Sequence, residues 1–354
     1  MAQRAQPGAD RAGHDGGATQ APAPHHQTTH PINTARARVY VGDCREIIPR
    51  IPECAKESVD LVFADPPFNW ARAYDEWDDQ MSHGDYLEFT YRWLDLCVDA
   101  LRPGGALWVN IPDDWAAEIV MHLKYRRDPS GRYLTSGAGR LAMVNWCIWH
   151  YRFGQNTTVR FINSKVHALY FVKPGGNYTW NPTEVLELSD RRAIYEDPRT
   201  ESKSDGMPAG LRVPMDVWYG KFWGRVQGNS KERRGYHDNQ LPEMYLARVI
   251  RACTNPGGLV MDPFLGSGTT GVVAHALGRD FIGCEFSQKN ASSAFDRIQR
   301  GPVRDVTATG GSTAIFPHRR KSGSKPAGGR SGEPDRAGGR RGRGARNRPD
   351  TGTD

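Results

Sequence analysis

The stretch VMDPFLGSGTTG, Val260–Gly271, decides the fold. An apolar run ending in an acid, then Gly266-x-Gly268, then Thr269 and Thr270 opening an apolar helical pattern, reads as strand, tight turn and helix. Glycines at such a turn let the backbone approach a nucleotide-like ligand, and the unpaired N–H groups of the first helical turn face it. A lone G-x-G is a weak signal. It is strengthened by Glu285, which closes the next strand, DFIGCEF, about twenty residues on, where a carboxylate can take the two hydroxyls of an adenosine ribose. No Lys follows the glycines, so a triphosphate-binding P-loop is disfavoured.

Outward from this unit the chain alternates strand and helix. RVYVGD (38–43) is a β-branched run, SVDLVFADPP (58–67) a buried strand stopped by its prolines, and ALWVNI (106–111) a third. Between them DYLEFTYRWLDLCVDALRPGG places Leu87, Tyr91, Leu94, Val98 and Leu101 at helical spacing before a Pro-Gly-Gly stop. DDWAAEIVMHL reads as a helix capped by Asp113, and LAMVNWCIWHY with KVHALYFVK as a strand pair. Repeated βα units predict an α/β fold with a mostly parallel sheet and an antiparallel strand. From about 175 to 235 the periodicity fails, and Arg and Lys interleave with Trp180, Trp218, Tyr219, Phe222 and Trp223. That mixture suits nucleic-acid contact, and equally a covering lobe whose aromatics pack inward.

Composition bounds the rest. Residues 1–36 hold almost no large apolar side chains and read as a disordered arm, with the cluster His25, His26 and His30 given little weight as a metal site. Residues 301–354 read as a disordered basic tail, leaving 37–300 as one folded body. The tail carries twelve Lys or Arg against five Asp or Glu, an excess equal to the chain's net charge of +7. The body is therefore balanced, and any nucleic-acid surface on it is local. Six scattered cysteines without a C-x-x-C pair argue against a zinc module or a disulfide framework and for buried thiols. No apolar leader or membrane-length run occurs, so no membrane association and a cytoplasmic, nucleoid-associated location are expected.

SVDLVFADPPFN (58–69), MDPFLGSGTTG (261–271) and GRDFIGCEF (278–286), in that order, resemble the DNA amino-methyltransferases that modify adenine N6 or cytosine N4 with S-adenosylmethionine. The resemblance spans roughly Arg38 to Arg297. Placing D-P-P-F about two hundred residues ahead of F-x-G-x-G resembles the permuted, β-class arrangement. It implies a circularly permuted Rossmann-like methyltransferase fold, with 37–174 as catalytic half, 175–235 as loop-rich target-recognition insert and 236–300 as cofactor half. It also implies a cofactor site of Asp43 at the adenine, Phe264, Gly266, Ser267 and Gly268 around the methionine end, and Glu285 at the ribose, with Asp262, Pro263, Thr269 and Gln240 also cofactor-binding. Gln240 belongs to HDNQLP (237–242), which stands where the family usually has H-P-x-Q-K-P.

The catalytic residues so implied are Asp65, Pro66, Pro67 and Phe68. An exocyclic amine is a poor nucleophile because its lone pair is delocalised into the ring, and it is out of reach inside a duplex, so the base must be flipped out. Phe68 would stack on it, while the Asp65 carboxylate and the Pro66 carbonyl each accept one amine hydrogen and free the lone pair. Consecutive prolines fix φ near −65° and aim these acceptors in advance. Within the family that the chain resembles, Asp at the first motif position leans toward adenine, and Ser is commoner for cytosine N4. The partner implied is double-stranded DNA, with a homodimer and a restriction partner left open. An RNA substrate and a catalytically silent DNA-binding module are the alternatives. Carbon-5 cytosine methylation is excluded by the absence of a Pro-Cys dipeptide.

Overall fold

The structure, a computed structural model, describes residues 21–308 except 73–76, 78, 129, 135–139, 152–155, 194, 202–206, 220–223, 225, 227–229 and 236–238. Its principal sheet is built from β1 (His26–Thr29), β2 (Arg36–Val41), β3 (Val59–Ala64), β4 (Leu101–Ile111), β5 (Ala142–His150), β6 (Lys165–Val172), β7 (Val217–Trp218), β8 (Leu259–Asp262) and β9 (Asp280–Glu285). The spatial order is β1-β2-β9-β8-β3-β4-β6-β5-β7. The five strands β2, β9, β8, β3 and β4 run parallel, and β6 turns antiparallel against β4. This is a Rossmann-like α/β architecture, a mostly parallel sheet with an antiparallel strand.

Strands buried on both faces read as near-continuous apolar runs, and VDLVFA in β3 is one. Leu61 and Phe63 point to one face, covered by α4 (Glu243–Cys253), α5 (Thr269–Ala276) and α6 (Gln288–Arg300). Val62 and Ala64 point to the other, covered by α1 (Cys44–Ile47), α2 (His83–Ala100) and α3 (Asp113–Lys124). Helix α2 starts at Ser82, whose hydroxyl accepts from the Asp85 N–H, and its buried stripe is Tyr86, Phe89, Trp93, Leu94 and Cys97. The face expected from Leu87 and Tyr91 is thus rotated, because the aromatic residues claim the interior and leave Leu87 and Tyr91 half-buried. All six cysteines are buried and free.

Three expectations are corrected. Residues 24–36 are not a disordered arm: β1 pairs antiparallel with β2, and the histidines replace the missing apolar side chains. His25 Nδ1 accepts from the Val41 N–H, His26 stacks on Phe295 at 5.1 Å, and His30 meets His275 edge-on at 4.9 Å. Residues 301–308 also pack on the body, with Val306 only 1% exposed; residues 1–20 and 309–354 lie outside the described residues. Asp113 does not cap α3. Pro112 holds the N-cap position without a side-chain bond, and the Asp113 carboxylate pairs with Lys165 and His167 instead. Within the insert Trp218 is buried, 5.4 Å from both Trp108 and Tyr245, while Trp180 is exposed. Phe222 and Trp223 lie outside the described residues. No described helix is long and apolar enough to cross a membrane.

Candidate active site

The register of β3 against β8, Leu61 with Val260 and Val62 with Met261, brings two distant motifs together. Both strands are parallel, so their following residues, Asp65-Pro66-Pro67-Phe68 and Pro263-Phe264-Leu265-Gly266, leave the sheet at the same end. Parallel sheets place ligands in the crevice outside these carboxyl ends. A cleft opens there, bordered on one side by Asp65, Pro66, Pro67 and Phe68 and on the other by Asp262 to Ser267, Thr269 and Glu285.

On the glycine-rich side, Gly266 adopts φ 49° and Gly268 φ 80°, the left-handed region that glycine enters without strain. The Gly266 N–H donates to Glu285 Oε2 at 2.8 Å and the Ser287 N–H to Oε1 at 3.1 Å. Half-buried Glu285 is thereby fixed at the border of the cleft by two backbone N–H groups. Asp262, at the end of β8, accepts the Phe264 N–H at 2.9 Å. Full burial raises its pKa to about 7, with the nearby charge of Glu285 acting in the same direction and hydrogen bonds from Thr270 and Phe264 opposing. Asp43 borders the cleft after β2. Its carboxylate caps α1 through the Arg45 N–H and holds the Arg45 guanidinium at 2.6 Å. Partial burial pushes its pKa up, but the bonds and charge of Arg45 outweigh this and the net direction is down.

On the proline side, the loop is pinned from several directions. Asn110 Nδ2 donates to Asp65 Oδ1 at 2.5 Å, the Tyr86 hydroxyl to the Pro67 carbonyl at 2.7 Å, and Trp115 Nε1 to the Phe68 carbonyl at 2.9 Å. The Asp79 carboxylate, 2% exposed, accepts from the N–H groups of Asn69, Trp70 and Arg72. It thereby holds Asn69 (φ 58°) and Ala71 (φ 55°) in a backbone region non-glycine residues seldom enter. Phe68 meets Trp70 edge-on at 5.2 Å.

Of the residues implied by sequence, two do not reach the cleft. Gln240 is buried with its amide donating to the Glu232 carbonyl and accepting the Arg234 N–H, so its neighbours Asn239 and Leu241 line the cleft in its place. Gly268 lies behind the turn as the N-cap of α5, where a Cβ would meet that of Ala294 at 2.9 Å. Conversely, sequence reasoning missed the aromatic wall of Trp77, Phe89 and Phe286. Trp77 lies 4.9 Å from Phe89 and 5.9 Å from Phe286. An aromatic residue, Phe286, directly after Glu285 was the signal available for it in the sequence.

The chain belongs to the N6/N4 DNA methylase family, whose model matches residues 59–296. It is 34% identical over 257 residues to the type II methyltransferase M.BamHI of Bacillus amyloliquefaciens, covering 71% of this chain and 55% of that protein's length. It is 29% identical over 272 residues to the type II methyltransferase M1.MboII of Moraxella bovis, covering 73% and 94%. The crystal structure of the M1.HpyAVI–SAM complex superposes with a TM-score of 0.47 at 21% identity, over 73% of this chain and 98% of that one.

Proposed function

We propose that the protein transfers a methyl group from S-adenosylmethionine to the N6 amine of an adenine flipped out of double-stranded DNA, with residues 175–235 contributing to target recognition. The single observation that carries this is the shared cleft, in which Asp65 and Pro66 face the glycine-rich turn and Glu285. The donor fits the residues present: a carboxylate at the cleft border for ribose hydroxyls, an aromatic wall for adenine, and a turn whose backbone admits close approach. Bound S-adenosylmethionine supplies a sulfonium methyl, an electrophile that departs from a neutral thioether. Everything else is done by the chain. Glu285 takes the ribose, Asp43 the adenine edge, and Phe264 to Ser267 the methionine end. Asp65 and the Pro66 carbonyl accept the two amine hydrogens, draw the nitrogen toward tetrahedral geometry and stabilise the positive charge that develops there. The methylated nitrogen then gives up one proton through the Asp65 carboxylate to water, leaving the neutral product. Stacking on Phe68 offsets about 1 to 3 kcal/mol of the lost base stacking. The preference for adenine rests on Asp rather than Ser at position 65.

Labelled S-adenosylmethionine offered to DNA and RNA in parallel, followed by nucleoside mass spectrometry, tests the reading. N6-methyladenine in DNA is the expected product. Marks confined to cytosine overturn the adenine assignment, and transfer confined to RNA overturns the DNA assignment. Asp65→Ala is expected to lower methyl transfer by about a hundredfold or more while cofactor binding persists. Glu285→Ala is expected to weaken cofactor binding by about ten- to a hundredfold, the worth of hydrogen bonds to a charged group.

A further inference from the structure

We propose that Asn110 and Tyr245 are positioning residues that fix the carboxylate of Asp65 before a base arrives; the proposal rests on the methyl-transfer reading above. Asn110 sits at the end of β4, one residue beyond the registered pair Ala64–Val109, so the parallel ladder delivers it beside Asp65. It is 1% exposed, in a strand whose residues 106–109 and 111 are all apolar. An amide buried there is costly unless both its ends are bonded. One end donates to Asp65 Oδ1 at 2.5 Å, and the other accepts from the Tyr245 hydroxyl at 3.3 Å.

The order of the bonds matters. The Tyr245 hydroxyl has a proton to give, so it faces the amide oxygen, and the Asn110 nitrogen is thereby turned toward the carboxylate. Full burial, reinforced by the charge of Asp65, pushes the Tyr245 hydroxyl well above its ordinary pKa and keeps it a donor. Its ring is itself fixed, 5.5 Å from Trp149 in a stack and edge-on to Phe63 at 5.8 Å. The last torsion of an aspartate is broad when nothing holds it. Here a charge-assisted bond sets the carboxylate plane, so little ordering remains for the moment of reaction.

Tyr245 also lies in the first turn of α4, four residues after Leu241, which with Asn239 lines the cleft. The acceptor for the amine and the segment beside the donor thus share one support.

The test compares wild type, Asn110→Leu, Tyr245→Phe and the double variant. It measures single-turnover methyl transfer to unmodified DNA, the S-adenosylmethionine dissociation constant by calorimetry, and Tm. Asn110→Leu is expected to slow transfer by about a hundredfold, and Tyr245→Phe by several-fold, with cofactor affinity changed by less than about threefold. The double variant is expected to be no slower than Asn110→Leu alone, because both residues act through one bond. Should Asn110→Leu fail to fold, the isosteric Tyr245→Phe decides. Wild-type transfer with indifferent variants, or losses matched one for one by lost cofactor affinity, overturns the relay alone. A wild-type protein that transfers nothing to DNA overturns the parent reading and the relay with it.

Discussion

Asp262 is 2% exposed at the end of β8, and burial lifts its pKa from 3.8 to about 7. Below pH 3.8 the group is protonated whether the chain is folded or not. Between that value and about 7 the unfolded chain releases the proton while the folded one keeps it, so the contribution of Asp262 to stability falls as pH rises. Above pH 7 it is constant. Replacing Asp262 by Asn removes the titration. The difference in Tm between wild type and Asp262→Asn is therefore expected to shift against the wild type from pH 4 to 7 and then flatten. A difference independent of pH would show that the carboxylate is ionised throughout. The residues that carry chemistry were the legible part of the sequence at this scale. Asp65, Phe264, Gly266 and Glu285 stand at strand ends in short motifs with definite order. Asn110 and Asp79 were not legible. They are ordinary strand and loop residues 45 and 14 positions from Asp65, and only register and loop closure bring them to the site.

At the scale of elements, the segment 301–308 behaves as a strap. Glu243, buried at the start of α4, pairs with Arg297 of α6 at 3.0 Å and accepts the N–H groups of Val303 and Arg304 at 2.8 Å. Arg304 in turn holds the buried Glu232 at 2.6 Å, and Glu232 accepts the Glu243 N–H. Arg297 also donates to the Ser267 carbonyl in the glycine-rich turn at 3.1 Å. The strap thus ties the turn, α4 and Glu232 together. A buried carboxylate that loses its partner costs about 3 to 5 kcal/mol. Truncation after Gly301 is expected to lower Tm and weaken cofactor binding, whereas truncation after Ala308 leaves both unchanged; thermal melts with and without S-adenosylmethionine check this. Composition concealed the strap because GPVRDVTA resembles the low-complexity stretch that follows it, and its order comes from Val303, Arg304 and Val306 meeting groups far away in sequence. The antiparallel β1 was hidden likewise, since its backbone pairing and histidine rings leave no apolar alternation to read.

For the whole molecule, charge and chain order set the behaviour. Residues 309–354 carry eleven Lys or Arg against four Asp or Glu, so the excess of +7 persists beyond the strap. Because binding to DNA releases counterions in proportion to phosphates neutralised, truncation after Ala308 is expected to weaken DNA affinity and flatten its dependence on salt while leaving the methylated sequence the same. Fluorescence anisotropy across a salt series, with sequencing of the modified sites, reads both. An altered recognition sequence would place base readout in the tail.

The order of strands has a further consequence for synthesis. β2 and β3 are close in the chain, yet β9 and β8 lie between them in the sheet. A nascent chain that has passed β3 therefore presents two unpaired parallel edges on the ribosome, and neither is closed until residues 259–285 emerge. At ordinary elongation rates that interval lasts on the order of ten to forty seconds. Unpaired edges are templates for association with other chains, so this protein is expected to lean on chaperones that shield nascent strands. Ribosome-arrested chains ending before residue 259 should be cut readily by protease, and chains long enough for β9 to clear the exit tunnel should resist it.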